Sequence, residues 1–345
     1  MLIRSHTASP SSAPSLEPLA HGGELAAARR LFPGAPEPFI DLSTGINPHP
    51  YPVPALQNEI FARLPDRAGI RELAAVAAQA YGAPSPAHVA AAPGTQILLP
   101  HVAALVAPGL AAILQTTYAE HARAAALAGH RVADVSDADQ LRQADLAIVV
   151  NPNNPDGRVV GKTILLSIAD DLRQRGGILV VDESFADVAS DISLAGEVER
   201  DNIVVLRSFG KFYGLAGLRL GFALASPHLI NRIEAMLGPW AVAGPAIEIG
   251  RTALADDEWR QRTLDQLAAD AKRLDVLLSG AGLAIIGGTS LYRLTQSPDA
   301  GELFNRLGRA GVLVRRFAEQ PNWLRFGLPA DENAWQRLTD ALARG

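Results

Sequence analysis

Residues 208–222 read SFGKFYGLAGLRLGF and follow the apolar, β-branched run NIVVLR, which ends at Arg207. The run has the composition of a buried strand, and the glycines at 210, 214, 217 and 221 mark a loop after it. The chain holds three lysines, Lys162, Lys211 and Lys272, and Lys211 alone lies just past a predicted buried strand. A lysine in a partly desolvated loop has a lowered pKa, so the free amine is populated and can form a Schiff base with a carbonyl.

Pyridoxal phosphate is the commonest such carbonyl. It also needs a cationic anchor for its phosphate, which Arg219 can supply from the same loop, with Ser208 adding a hydroxyl. A surface lysine in a turn is the competing reading unless partner residues appear elsewhere. They do appear upstream. AAILQTTY, DLAIVV, GILVVD and NIVVLRS read as buried strands separated by helices, which predicts an α/β fold with a mostly parallel, doubly wound sheet. Such sheets bind ligands beyond the carboxyl ends of their strands.

At those ends stand Tyr118 after the first strand, Asn151 to Asn154 (NPNN) after the second, Asp182 after the third, and Ser208 with Lys211 after the fourth. The set matches what pyridoxal phosphate requires. An aspartate holds the pyridine nitrogen protonated, an asparagine binds the ring oxygen, an aromatic ring stacks, and a lysine carries the imine. The turn at Pro93 and Gly94 opens a predicted helix, so Gly94, Thr95 and Gln96 present N–H groups suited to an anion.

HGGELAAARR, residues 21–30, looks like a short helix entered through two glycines, and helices are expected over 55–64 and 70–81. Gly45, Ile46 and Asn47 precede Pro48, which disfavours helix there and leaves backbone groups free for a ligand. A long amphipathic helix is expected over 258–278, followed by alternating short strands and helices that read as a smaller α+β domain. Its Arg315, Arg316 and Arg325 are candidates for an anionic substrate, and Arg325 is favoured because Trp323, Leu324 and Phe326 flank it. The expected division is an N-terminal arm over 1–45, a large cofactor-binding domain over 46–240 and a small domain over 241–345.

Composition excludes several classes. The 345 residues carry a net charge of −5 with no basic block, which argues against a nucleic-acid surface. There is no cysteine, hence no disulfide framework or thiolate site, in keeping with the cytoplasm. The Ser- and Pro-rich residues 1–20 read as a lead-in without the apolar core of a secretory signal. The most apolar stretch, 101–114, is broken at Pro108 and Gly109, so no membrane span is expected. GRVVGKT over 157–163 misses the phosphate-loop spacing, and the eight histidines show no metal-ligand spacing, so no metal is expected.

From residue 21 almost to the end, the chain resembles the fold-type-I pyridoxal phosphate enzymes, in the subgroup of the histidinol-phosphate aminotransferases. HGGEL, DLSTGINPHP and SFGKFYGLAGLRLG are most similar to the L-threonine O-3-phosphate decarboxylases of cobalamin biosynthesis, while NPNNPDG and VVDESF are shared more widely. The resemblance implies Lys211 as the Schiff-base lysine, Asp182 on the pyridine nitrogen, Asn154 on the ring oxygen and Tyr118 on the ring. It implies Gly94, Thr95, Gln96, Ser208 and Arg219 around the cofactor phosphate. For the substrate it implies His21, Gly22, Gly23, Ile46, Asn47, Asn154 and Arg325, with Arg315 and Arg316 left as alternatives. The implied product is (R)-1-amino-2-propanol O-2-phosphate with CO2, and the implied assembly is a homodimer. Phe185 and Leu64 stand where the aminotransferases carry tyrosines, which weakens transamination, the main alternative. A non-catalytic regulator would need a DNA-binding module, for which the residues before the family-like core carry no pattern.

Overall fold

The computed structural model describes residues 21–343, so the expected lead-in over 1–20 lies outside the described residues. The arm holds α1 (Leu25–Leu31) and β1 (Ile40–Leu42), and α2 (Glu59–Ala62) and α3 (Arg67–Tyr81) follow. The helix expected over 55–64 is a single turn, because Pro65 forces an extended backbone just before it and Arg63 already adopts one. Asp66 caps α3 by accepting from the Gly69 N–H, and Gly82, at φ +76°, ends it.

Strand and helix then alternate through β2 (Val89–Ala92), α4 (Thr95–Ala103), β3 (Leu110–Leu114), α5 (Glu120–Leu127), β4 (Arg131–Val135), β5 (Leu146–Val150), α6 (Lys162–Arg173), β6 (Ile178–Asp182), β7 (Ile203–Ser208), α7 (Phe209–Phe212) and β8 (Gly221–Ala225). The seven strands form one sheet in the order β2-β8-β7-β6-β5-β3-β4, with β8 antiparallel to both neighbours and the other six in one direction. Both faces are covered. Leu179, Val181 and Val205 enter one core, while Val180, Val204 and Leu206 enter the other. That is why these strands read as continuous apolar runs.

The direction of β8 builds the site. Running against its neighbours, it begins at the edge where β2 and β7 end, so Gly221 pairs with Ser208 on one side and with Ala92 on the other. The sheet was expected from four strands. β2, β4 and β8 add to these: β2 and β8 are four or five residues rich in alanine or glycine, and β4, RVADV, is a short edge strand broken up by charge, so none stands out as an apolar run.

Helices α8 (Pro227–Leu237), α9 (Gly244–Leu254) and the 24-residue α10 (Asp257–Gly280) lead to the second unit. There β9 (Ala284–Thr289), β10 (Tyr292–Gln296), α11 (Ala300–Arg309), β11 (Val312–Phe317), β12 (Gln320–Gly327) and α12 (Glu332–Ala343) follow. Their sheet runs β1-β11-β12-β10-β9, and β1 of the arm pairs in parallel with β11. α9 packs back on α3. The β9–β10 hairpin docks on the turn after NPNN, where the Gly288 N–H donates to Asp156 O at 2.8 Å. A Cβ at Gly157 would lie 2.0 Å from Gly288 O, so this approach requires glycine. None of the described helices is long and apolar enough to cross a membrane.

Candidate active site

Lys211 was expected in a loop and sits instead in the single turn of α7, directly after β7. The turn is fixed by close packing, since a Cβ at Gly210 would lie 2.9 Å from Ala216 Cα. It is also held from the arm side: the Lys211 carbonyl accepts the Asn47 N–H at 2.9 Å, and the Asn47 side chain donates to Phe212 O at 2.8 Å. Among the described residues the Lys211 Nζ has no hydrogen bond or ion pair, and it lies 5.7 Å from the centre of the Phe185 ring. Burial of the amine, with Arg325 and Arg219 nearby, pushes its pKa down to about 8 against the opposing pull of Asp182. The side chain still opens to the cleft.

Asp182 ends β6 and is 5% exposed. Burial alone would raise its carboxyl. His121 Nε2, 2.9 Å from Oδ2, and the Ser184 N–H and hydroxyl on Oδ1 outweigh that and hold it below the usual carboxylate range. His121 and Ser184 were not expected. The position of His121, three residues past Tyr118 in the connection that follows a predicted buried strand, is the available signal.

Around Gly94 the residues form a cradle. Arg219 takes the left-handed conformation at φ 55°, and its Nη2 would lie 2.4 Å from a Cβ at Gly94. A Cβ at Gly221 would lie 2.6 Å from Thr95 N, and Ser208 pairs with Gly221. Gly94, Thr95, Ser208 and Arg219 are therefore brought together at the start of α4, where free N–H groups favour an anion. Gln96 joins through its side chain, accepting the Tyr118 hydroxyl at 3.0 Å. Tyr118 does not end β3. The strand stops at Leu114, and Tyr118 stands in the connection to α5, with burial chiefly raising its phenol to about 12.

Arg325 is 7% exposed, and among the described residues its recorded side-chain partners are Asn154 and Ser43, with no carboxylate in an ion pair. Its Nη1 donates to Asn154 Oδ1, its Nη2 donates to Ser43 O at 2.9 Å, and its Nε is buried without a partner. Burial lowers it to about 10, still charged at neutral pH. Arg315 pairs directly with Arg325 across β11 and β12, so both side chains leave the same face of the sheet. Arg316 leaves the opposite face, with its guanidinium 4.5 Å from the centre of the Phe304 ring on α11. The two arginines left as alternatives are thus separated by strand alternation.

The Gly22 and Gly23 pair docks on Ser43, the residue whose carbonyl Arg325 uses. The Gly23 N–H donates to Ser43 Oγ at 2.8 Å, and a Cβ at Gly22 would lie 2.4 Å from Ser43 O. His21 Nε2 lies 3.0 Å from Glu120. Asn47 is occupied with α7 and the His49 N–H, and Ile46 lines a separate groove with Phe39, Leu328 and Arg337.

The cleft thus holds a lysine of lowered pKa, a buried carboxylate, an anion cradle and a buried arginine, a set suited to a carbonyl cofactor that carries a phosphate. The chain belongs to the class I and II aminotransferase family, whose model matches residues 37–342. It is 43% identical over 336 residues to a threonine-phosphate decarboxylase of Sinorhizobium sp, covering 95% of this chain and 98% of the relative. It is 41% identical over 327 residues to the threonine-phosphate decarboxylase of Pseudomonas aeruginosa, covering 94% and 97%. The fold matches the histidinol-phosphate aminotransferase of Sinorhizobium meliloti, solved with pyridoxal-5'-phosphate, at a TM-score of 0.80 with 20% identity over 98% of each chain.

Proposed function

We propose that this protein is a pyridoxal phosphate-dependent decarboxylase that converts L-threonine O-3-phosphate to (R)-1-amino-2-propanol O-2-phosphate and CO2. The observation that carries the reading is the near full-length identity above 40% to two threonine-phosphate decarboxylases. The residues fit the cofactor: an amine without a partner at Lys211, a carboxylate kept ionised at Asp182, and a cradle that two absent Cβ atoms leave open beside Arg219.

We assign the cofactor phosphate to Gly94, Thr95, Ser208 and Arg219, the ring to Tyr118 and Asn154, and the pyridine nitrogen to Asp182. When bound, the cofactor supplies an electron sink for the pair left on Cα as a bond there breaks. Asp182, charged and held rigid by His121 and Ser184, stabilises positive charge on the atom it faces. Arg325 binds the substrate carboxylate and Arg315, on the same face, the substrate phosphate. The Cα–carboxylate bond breaks, CO2 leaves, and Lys211 Nζ returns a proton to Cα.

The same reading includes the three-part division at residues 45 and 240, cytoplasmic residence and a homodimer. Supporting the dimer, Phe61, Leu64 and Trp240 are 65%, 68% and 59% exposed, large apolar side chains that a partner subunit could cover. Carboxyl-labelled threonine phosphate and, separately, histidinol phosphate with 2-oxoglutarate test the reaction. Labelled CO2 released without a keto acid supports it. Glutamate formed from histidinol phosphate, with no CO2 from threonine phosphate, would make the protein an aminotransferase.

A further inference from the structure

Glu120 opens α5 yet is only 5% exposed, an unusual place for a carboxylate unless partners surround it. Three do. His21 Nε2 lies 3.0 Å from Oε1, the Gln96 amide donates to Oε2 at 3.1 Å, and Arg123 Nη1 stands 3.6 Å from Oε2. The other end of the Gln96 amide accepts the Tyr118 hydroxyl at 3.0 Å. That bond orients the amide: its carbonyl faces Tyr118, so its NH2 faces Glu120. Glu120 therefore accepts on both oxygens, and His21 must carry its proton on Nε2.

The result is one chain of hydrogen bonds from the arm to the aromatic ring, His21 to Glu120 to Gln96 to Tyr118. The His21 and Tyr118 rings are also neighbours, with centres 5.8 Å apart. His21 and Tyr118 belong to segments 97 positions apart (118 − 21), and Glu120 is the buried group that both reach. We infer that Glu120 is a positioning residue that couples the docking of the N-terminal arm to the seating of Tyr118. Seating the arm places His21 on Glu120, which fixes the Gln96 amide and so the Tyr118 hydroxyl. Releasing the arm frees one carboxylate oxygen, to which the Gln96 amide can turn, and the ring loses its fixed orientation. The inference rests on the reading above in taking Tyr118 as the ring against the cofactor.

The test is a double-mutant cycle read from the pyridoxal phosphate affinity of the apoenzyme, by absorbance titration, for wild type, His21→Ala, Tyr118→Phe and the double variant. Coupling through the chain predicts that the double variant loses affinity by a factor at least about threefold smaller than the product of the single losses. Repeating the cycle in a Glu120→Leu background should abolish that non-additivity, because leucine neither accepts nor donates, so no tautomer of His21 can restore the chain. A merely structural role for Glu120 would lower every affinity in the second cycle and leave the coupling intact. Should E120L not fold, Gln96→Leu at the exposed Gln96 breaks the same chain one link further on and takes its place. Independent effects in wild type, or coupling that survives in E120L or Q96L, would overturn the inference. Because the cycle is read from cofactor binding, it stands apart from the decarboxylation assay: no CO2 from threonine phosphate would refute the proposed reaction and leave the cycle readable.

Discussion

Replacing Lys211 by methionine should make the cofactor-free protein more stable while leaving it inert. The lysine's pKa is held at about 8, against about 10.4 in an unfolded chain. The folded state therefore disfavours the ammonium by an amount worth roughly 3 kcal/mol at neutral pH. Because the side chain opens to the cleft and water screens part of this, a gain of about 1–2 kcal/mol is expected from the substitution. The sign follows from proton binding. Below pH 8 the lysine is charged in both states and the penalty is full. As pH rises from 8 to about 10.4 the unfolded chain still binds the proton that the folded one has lost, so wild type gains stability and the advantage of the variant shrinks. Urea unfolding of both apoproteins at pH 7, 8.5 and 10 measures this. Equal stability at pH 7, or an advantage that grows with pH, would refute the account of a desolvated, partnerless amine.

Asp182→Asn should keep most cofactor affinity and lose at least about a hundredfold in kcat, since an amide preserves shape but not charge; titration beside turnover checks it, and near-normal turnover would remove Asp182 from the mechanism. Arg315→Ala should raise KM for threonine phosphate by roughly tenfold or more, the weight of a charge-assisted bond, while Arg316→Ala should change it by less than about twofold; equal effects would contradict the facing read from the strand register. Gly221→Ala sets a methyl against the backbone of Thr95 and should weaken binding of the cofactor phosphate, so that pyridoxal phosphate loses affinity and phosphate-free pyridoxal does not.

Much of this arrangement was legible because β5, β6 and β7 carry their chemistry at or just past their carboxyl ends, and strand ends are local features. Asp182 closes an unbroken apolar run, and Lys211 follows another. What escaped depends on partners far away in the chain. The turn of α7 exists because Gly210 meets Ala216 and because Asn47 reaches across from the arm, neither of which a periodicity reveals. Arg315 and Arg316 are adjacent and equivalent in sequence, and only the pairing of Arg315 with Arg325 tells them apart. His121 looked like any polar residue at a helix start until Asp182 was placed 2.9 Å from it.

The character of Arg325 bears on how a decarboxylase can use it. A cation that grips a carboxylate favours the charged ground state over the neutral CO2 that leaves, so a strong bidentate clamp there would slow the reaction. Asn154 and Ser43 already take one N–H each from Nη1 and Nη2, two of the five donors of the guanidinium, and the Nε is buried. On the proposed assignment this limits the grip on the carboxylate and leaves orientation to the other end of the substrate. Arg315, on the same sheet face, can fix a phosphate that does not react. Binding energy gathered at a remote group is available to hold the breaking bond in its productive direction. With both anchors on one rigid pair of strands, β11 and β12, the separation of the two arginines becomes the ruler for the substrate. Arg316, facing α11 on the other side, cannot take part in that measure.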